Sequence, residues 1–157
     1  MFLSVLLAVG IIVAGAIAYF ALPQSCVILA QNRVIDGSVR VIDGDTIVVA
    51  GEHVRLNGVD AEEVAHPGYP VADPHGEAAR AVMQEVVGVG SPVKCNLNGE
   101  KSYDRVVGIC FNALGQDVGA EIIKRGAALD CAHYSGGRYR SLEPPGARAR
   151  LKQAAYC

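Results

Sequence analysis

Val39-Arg40-Val41-Ile42-Asp43-Gly44-Asp45-Thr46-Ile47-Val48-Val49-Ala50-Gly51-Glu52-His53-Val54-Arg55-Leu56-Asn57-Gly58-Val59 is the stretch that decides how this chain folds. Residues 39–42 and 46–49 are short runs rich in β-branched side chains, which fit a pleated, half-buried surface. Ala50-Gly51-Glu52 makes a tight turn, and residues 53–59 return as a third strand. Closely spaced β runs about a glycine turn read as a hairpin.

Working outward, residues 64–74 carry three prolines and a glycine and read as loop. Asp73-Pro74 opens a helix, with Asp as cap and Pro in the first turn. Ala78, Ala81, Val82 and Val86 share one face of it, and Gly88 ends it. Residues 92–97 alternate as a fourth strand, Asn98-Gly99 is a turn, and residues 105–111 form a fifth. Asp117 caps a second helix that runs to Arg125 and closes at Gly126. Pro144-Pro145 precede a short basic helix. Five short strands, with a helix between the third and fourth, predict an α+β fold: a five-stranded antiparallel OB-type β-barrel with about three helices.

In the other direction, residues 31–36 read as linker, so the folded domain covers 37–157. The first thirty residues contain no Asp, Glu, Lys or Arg. Residues 2–22 are almost continuously apolar, close to the length of about 20 residues that crosses a bilayer as a helix. Residues 1–30 are therefore read as a signal peptide or membrane anchor and set aside from the fold. The expected location is exported: periplasmic, secreted or membrane-anchored. The expected partners of this segment are the membrane or the export machinery.

The chain has 157 residues, five cysteines and a net charge of −2. A strongly basic composition, the usual mark of tight nucleic-acid binding, is absent. The distribution of charge is more telling. Residues 43–63 hold six carboxylates against one permanent cation, Arg55, while residues 138–152 hold five basic side chains against Glu143 alone. No Cys-x-x-Cys spacing exists, which argues against zinc and thioredoxin-type sites. Cys95, Cys110, Cys131 and Cys157, an even set downstream of an export segment, predict two disulfides. Cys95 and Cys110 lie on the fourth and fifth strands, where cross-strand pairing is feasible. Cys157 then ties back to Cys131, and a closed loop of this size adds about 3 kcal/mol. The alternative is four reduced core thiols. His53, His66, His75 and His133 have no ligand spacing.

Three segments carry chemistry. In Asp43-Gly44-Asp45-Thr46, glycine lets the chain bend while two flanking carboxylates, alternate along an extended chain, face one pocket and suit calcium or magnesium. Arg55-Leu56-Asn57-Gly58-Val59-Asp60-Ala61-Glu62-Glu63 ends a strand in three carboxylates within four residues. Such crowding needs a cation or an arginine among the charges. Tyr103-Asp104-Arg105 opens the fifth strand. Taken singly, each has a bland reading: a solvated turn, a charged loop, a surface arginine.

Together, and in this order, the segments resemble the staphylococcal-nuclease (thermonuclease-like) family, whose pattern is Asp-Gly-Asp-Thr, then Arg-Leu-x-x-x-Asp-x-Pro-Glu, then Tyr-Gly-Arg, then a helix ending in Gly-x-Ala, here Gly126-Ala127-Ala128. The resemblance covers about residues 37–155. It implies a calcium-dependent phosphodiesterase of the micrococcal-nuclease type, cutting DNA or RNA with little sequence preference and acting as a monomer. It also implies roles: Asp45, Asp60 and the Ala61 carbonyl hold Ca2+, with Asp43 supporting them. Glu63 is the general base, Arg55 and Arg105 bind phosphate, and Tyr103 lines the nucleotide pocket. Tyr134 is the candidate for a further pocket tyrosine. The sequence departs from the pattern at two places: Glu62 replaces the proline and Asp104 the glycine. A restored proline at 62 is expected to keep or raise activity. The competing readings are a catalytically inactive OB-fold module that binds nucleic acid or protein, and a calcium-binding structural module.

Overall fold

A computed structural model describes residues 33–88 and 90–157; the leader read from residues 1–30 lies outside the described residues. Among these, β1 (Val34–Val41), β2 (Thr46–Val49), β3 (Glu52–Leu56), β5 (Pro92–Ser102) and β6 (Arg105–Phe111) close into a barrel in the order β1-β2-β3-β6-β5. β4 (Val59–Asp60) and β7 (Leu129–Asp130) form a separate two-stranded sheet. The helices are α1 (Gly76–Val87), α2 (Val118–Lys124), α3 (Ala132–Ser135) and α4 (Ala147–Arg150), with a 3-10 turn at Arg140–Leu142. The α+β barrel read from the sequence is thus present.

β2 and β3 pair antiparallel across the Ala50-Gly51 turn, with Thr46 opposite Arg55 and Val49 opposite Glu52. One joint differs from the antiparallel sheet expected. β3 meets β6 in parallel, Arg55 opposite Val107. Parallel neighbours need a long crossover, and here the chain through β4, α1 and β5 provides it. The barrel interior is filled by Ile47, Val54, Leu56, Val93, Cys95 and Cys110, continuous with Met83 of α1 and Ile122 and Ile123 of α2. Cys95 faces Cys110 in register and is bonded to it, Cα–Cα 4.0 Å; Cys131 is bonded to Cys157.

Several local expectations are corrected. β1 begins at Val34, inside the stretch read as linker, because Val34 pairs with Asn96 of β5. The buried face of α1 is Gly76, Ala79, Met83, Val86 and Val87, whereas Ala78 and Ala81 are exposed. The helix starts after His75, and Asp73 is diverted from capping: its carboxylate accepts hydrogen bonds from Glu63 N, Tyr69 Oη and Lys152 Nζ. Asn98-Gly99 is no hairpin turn but an irregularity inside β5, whose register shifts between Leu97 and Lys101. The hairpin turns instead at Tyr103-Asp104, with Tyr103 at φ +58° and 93 % exposed at its tip. Among the described residues no helix is long and apolar enough to cross a membrane.

Candidate active site

Strand register builds the site. Residues directly opposite on neighbouring strands project to the same face. Thr46 of β2, Arg55 of β3 and Val107 of β6 are such partners, and Arg105, two residues before Val107, joins their face. Val54 and Leu56, on either side of Arg55, point into the barrel and are buried. The two arginines therefore stand side by side outside the barrel wall. Arg105 Nη1 donates to Thr46 Oγ1 at 3.0 Å, and its Nη2 donates to Ser102 Oγ at 3.1 Å.

The turn between β1 and β2 is shaped by Asp43. Its Oδ1 accepts from the backbone amides of Asp45 at 2.9 Å and Thr46 at 2.7 Å, an aspartate-closed turn. Gly44 is required here, since a Cβ would lie 2.5 Å from that of Ala61 and 2.8 Å from that of Ala79. The turn is thereby pressed against the loop that carries the second acidic cluster. Asp45 is buried. It accepts from Thr46 Oγ1 and, at 3.1 Å, from the Ala61 amide, and the Arg55 guanidinium packs against it. Asp60 is buried on β4 and accepts from the Ala154 amide at 2.9 Å. Burial raises the Asp60 pKa, against the Ala154 hydrogen bond and the charges of Arg55 and Arg148. Burial likewise raises Asp43, against the Thr46 amide and the two arginines. Burial draws the Arg55 guanidinium down from its usual value, an effect offset by Tyr156 and the acidic groups and reinforced by Arg105. It remains a cation at neutral pH.

Glu62 and Glu63 separate cleanly. Glu62 is buried and fully engaged: Oε2 accepts from His75 N at 2.9 Å, Oε1 from Lys152 N at 2.9 Å, and the His75 ring lies at 3.0 Å. It fastens α1 and the 152 segment to the loop. These hydrogen bonds outweigh burial and lower its pKa. The Glu63 backbone is clamped by Asp73, its N–H donating to Asp73 Oδ2 at 3.2 Å and its carbonyl accepting from Asp73 N at 2.9 Å. Gly76 packs on that same carbonyl, leaving no room for a Cβ. The Glu63 side chain is half-buried. Its pKa is raised by burial and by the Asp43 charge, against Arg55, Arg105 and His66. The charges of the two arginines act on this carboxyl without cancelling the effect of burial.

Arg55, Arg105, Tyr103 and Tyr134 line one cleft of about 400 Å³, together with Lys101 and Tyr156. Asp43, Asp45, Asp60 and Glu63 do not line this cleft; Asp45 is joined to it by its ion pair with Arg55. Tyr156 was not singled out from the sequence. The signal was present, since the expected Cys131–Cys157 bond places its neighbour three residues from Tyr134. Among the described residues, no group of three or more His, Cys, Asp and Glu side chains is set as a metal cage. The donors at hand are two buried carboxylates, Asp45 and Asp60, and the Ala61 carbonyl. All three are hard oxygen donors of the kind calcium takes, and Asp45 is ion-paired with Arg55.

The basic stretch 138–152 is not a free cationic patch. Arg138 pairs with Asp117, Arg140 with Asp130, Arg148 with Glu143 and Lys152 with Asp73, and Arg150 donates to the Gly126 carbonyl. These contacts fix the segment that follows α2.

A family model described as Staphylococcal nuclease homologue matches residues 53–154. Among curated proteins, the succinoglycan biosynthesis protein ExoI of Rhizobium meliloti (strain 1021) is 37% identical over 93 residues, covering 57% of this chain and 49% of that protein. The probable endonuclease LCL3 of Pyricularia oryzae is 35% identical over 107 residues, covering 64% of this chain and 41% of that protein. The protein of the same name from Leptosphaeria maculans is 33% identical over 94 residues, covering 58% and 31%. The chain spans about half or less of the length of these relatives.

Proposed function

This chain belongs to the staphylococcal nuclease homologue family, and from that premise we propose that it is a nuclease, hydrolysing phosphodiester bonds of DNA or RNA with little sequence specificity. The observation that carries the reading is the pair Arg55 and Arg105 in the wall of one cleft with Tyr103, Tyr134 and Tyr156, with the half-buried Glu63 within reach of both charges. In this reading a phosphodiester enters the cleft and is gripped by the two guanidinium forks, which match phosphate oxygens in pairs. They also stabilise the charge that grows on its equatorial oxygens. Glu63 takes the proton of a water attacking in line. Its raised pKa favours that role, since a base works best with a pKa nearer the operating pH.

Arg55 now lies against Asp45, so its transfer to a phosphate leaves buried carboxylates without a counter-charge. Uncompensated burial costs several kcal/mol per ion. Asp45, Asp60 and the Ala61 carbonyl, with Asp43 holding the turn, fit calcium as that counter-charge, water completing its six to eight oxygens. When bound, calcium supplies Lewis-acid polarisation of a phosphate oxygen.

The two disulfides support an oxidising compartment and hence an exported protein, acting as a monomer. The paired basic stretch supports local grip on one or two phosphates over broad electrostatic capture of a polymer. The test is digestion of single-stranded DNA and of RNA by the oxidised protein, in calcium and in excess chelator. Cleavage in calcium, abolished by chelator and by Asp45→Ala or Asp60→Ala at low calcium, supports the reading. Full activity of both variants in chelator overturns the metal assignment, and no cleavage of either polymer overturns the nuclease assignment.

A further inference from the structure

The segment 151–157 has no helix or strand, so its ties to the rest of the domain fix its path. Lys152 N donates to Glu62, Ala154 N to Asp60 and Gln153 Nε2 to the Asp130 carbonyl at 3.0 Å, and Cys157 is bonded to Cys131. Two of these acceptors are carboxylates of the acidic loop that carries Glu63. The path brings the Tyr156 ring into the wall of the cleft that holds Arg55 and Arg105. There it meets Tyr134 edge-to-face, with ring centroids 6.2 Å apart and planes at 67°. Tyr156 is 58 % exposed and Tyr134 52 %. Neither ring belongs to the core, and nothing in the packing of the barrel requires an aromatic residue at 156. An open ring beside two phosphate-binding cations suits a planar partner joined to a phosphate.

We propose that Tyr156, held in place by the strap 151–157 and the Cys131–Cys157 bond, is a substrate-positioning residue that stacks on a nucleobase. The proposal rests on the nuclease reading above. A base offers its face to a side chain only when it has left its own stack, and such stacking is tolerant of base identity. The cleft volume lies in the range of small-ligand sites, about 300–1,000 Å³. It therefore takes one splayed nucleotide of a single strand, with its phosphate on the arginines and its base among Tyr156, Tyr134 and Tyr103. The disulfide then has a role in binding as well as in stability, because it anchors the residue next to Tyr156.

The test is cleavage kinetics in calcium on two single strands, a thymidine oligonucleotide and a strand of the same length whose sugars at and beside the cleaved bond carry no base. Wild type, Tyr156→Ala, Tyr156→Phe and Cys157→Ser are compared, each with a thermal melt. Tyr156→Ala is expected to raise KM on the base-bearing strand about ten-fold with little change in kcat. KM on the abasic strand should stay within about two-fold of wild type, Tyr156→Phe should restore wild-type KM, and Cys157→Ser should follow Tyr156→Ala. Equal losses on both strands, or no loss on either, overturn the proposal while leaving the nuclease reading standing. A wild-type protein that cuts neither strand, nor a uridine oligonucleotide of the same length, overturns the nuclease reading, and this inference with it.

Discussion

Two stretches of this chain are crowded with charge, and the fold treats them in opposite ways. In residues 138–152 every arginine finds an acceptor within the domain, and the charges serve to hold loops to α2 and β7. In residues 43–63 burial outweighs the partners of three carboxyl groups. Burial raises the pKa of Asp43, Asp60 and Glu63, and Arg55 is buried among them. Charge that is fully answered makes structure. Where burial outweighs the partners, the carboxyl keeps its proton to a higher pH, and the proposed chemistry is placed there. Glu62 and Glu63 show the same division between neighbours.

The largest effect expected from this contrast is on turnover. Glu63→Gln should lower kcat by about two to four orders of magnitude, the range for loss of a general base. Burst-free steady-state assays on a thymidine oligonucleotide at saturating calcium check it, and a nearly normal Glu63→Gln beside an inactive Glu62→Gln would reverse the assignment. Next in size is the stability of Glu62 variants. Glu62→Pro, which the sequence alone recommends as restoring the family pattern, removes a buried acceptor of two backbone amides. Each amide left unsatisfied costs about 1–3 kcal/mol. Its melting temperature should fall by several degrees, and an unchanged melt would show that the 152 segment is held some other way.

The two glutamates should also part in pH dependence. The folded-state pKa of Glu63 is raised, so the folded state holds its proton more tightly than the unfolded state. Its contribution to stability is therefore present at low pH and lost as pH rises through the folded value. Glu62 is shifted down, and its contribution is present above the unfolded value and lost as pH falls through the folded one. At neutral pH Glu63→Gln should thus melt slightly higher than wild type and Glu62→Gln lower. The smallest effect concerns the basic stretch. Arg138→Ala should change the salt dependence of KM by much less than the slope of about 0.7 per phosphate contact expected for a single strand. A full unit lost there would restore a nucleic-acid role to that surface.

The strands around the turn at Asp43 were legible because β-branched runs and a glycine turn are local signals, and the residues of the acidic loop were legible because their spacing is fixed along one strand and its exit. What escaped depended on contacts far apart in sequence. Asp73 resembles a helix cap until the Glu63 amide is placed beside it. Asn98-Gly99 resembles a turn until β5 is seen to continue to Ser102 to pair with Arg105. The α1 face was misread by one residue because alanines are apolar without being committed to the core. The pairing of β4 with β7 joins segments of two residues each, too short for any periodicity. The basic side chains of residues 138–152 suggested a surface patch because their acidic partners lie as far off as Asp117, for Arg138, and Asp73, for Lys152.

The parallel joint between β3 and β6 carries one more consequence. The spacing of Arg55 and Arg105 is set by how two strands lie side by side, Arg55 opposite Val107, and not by the length of the chain that links them. Insertions into residues 65–72 or at the tip of the β5–β6 hairpin can accumulate without moving one guanidinium relative to the other. A slip of β6 by a single residue, in contrast, turns Arg105 to the inside of the barrel. The domain is thus tolerant of added length at its edges and intolerant of a one-residue error along one seam, which lets its loops diversify around an unchanged pair of cations.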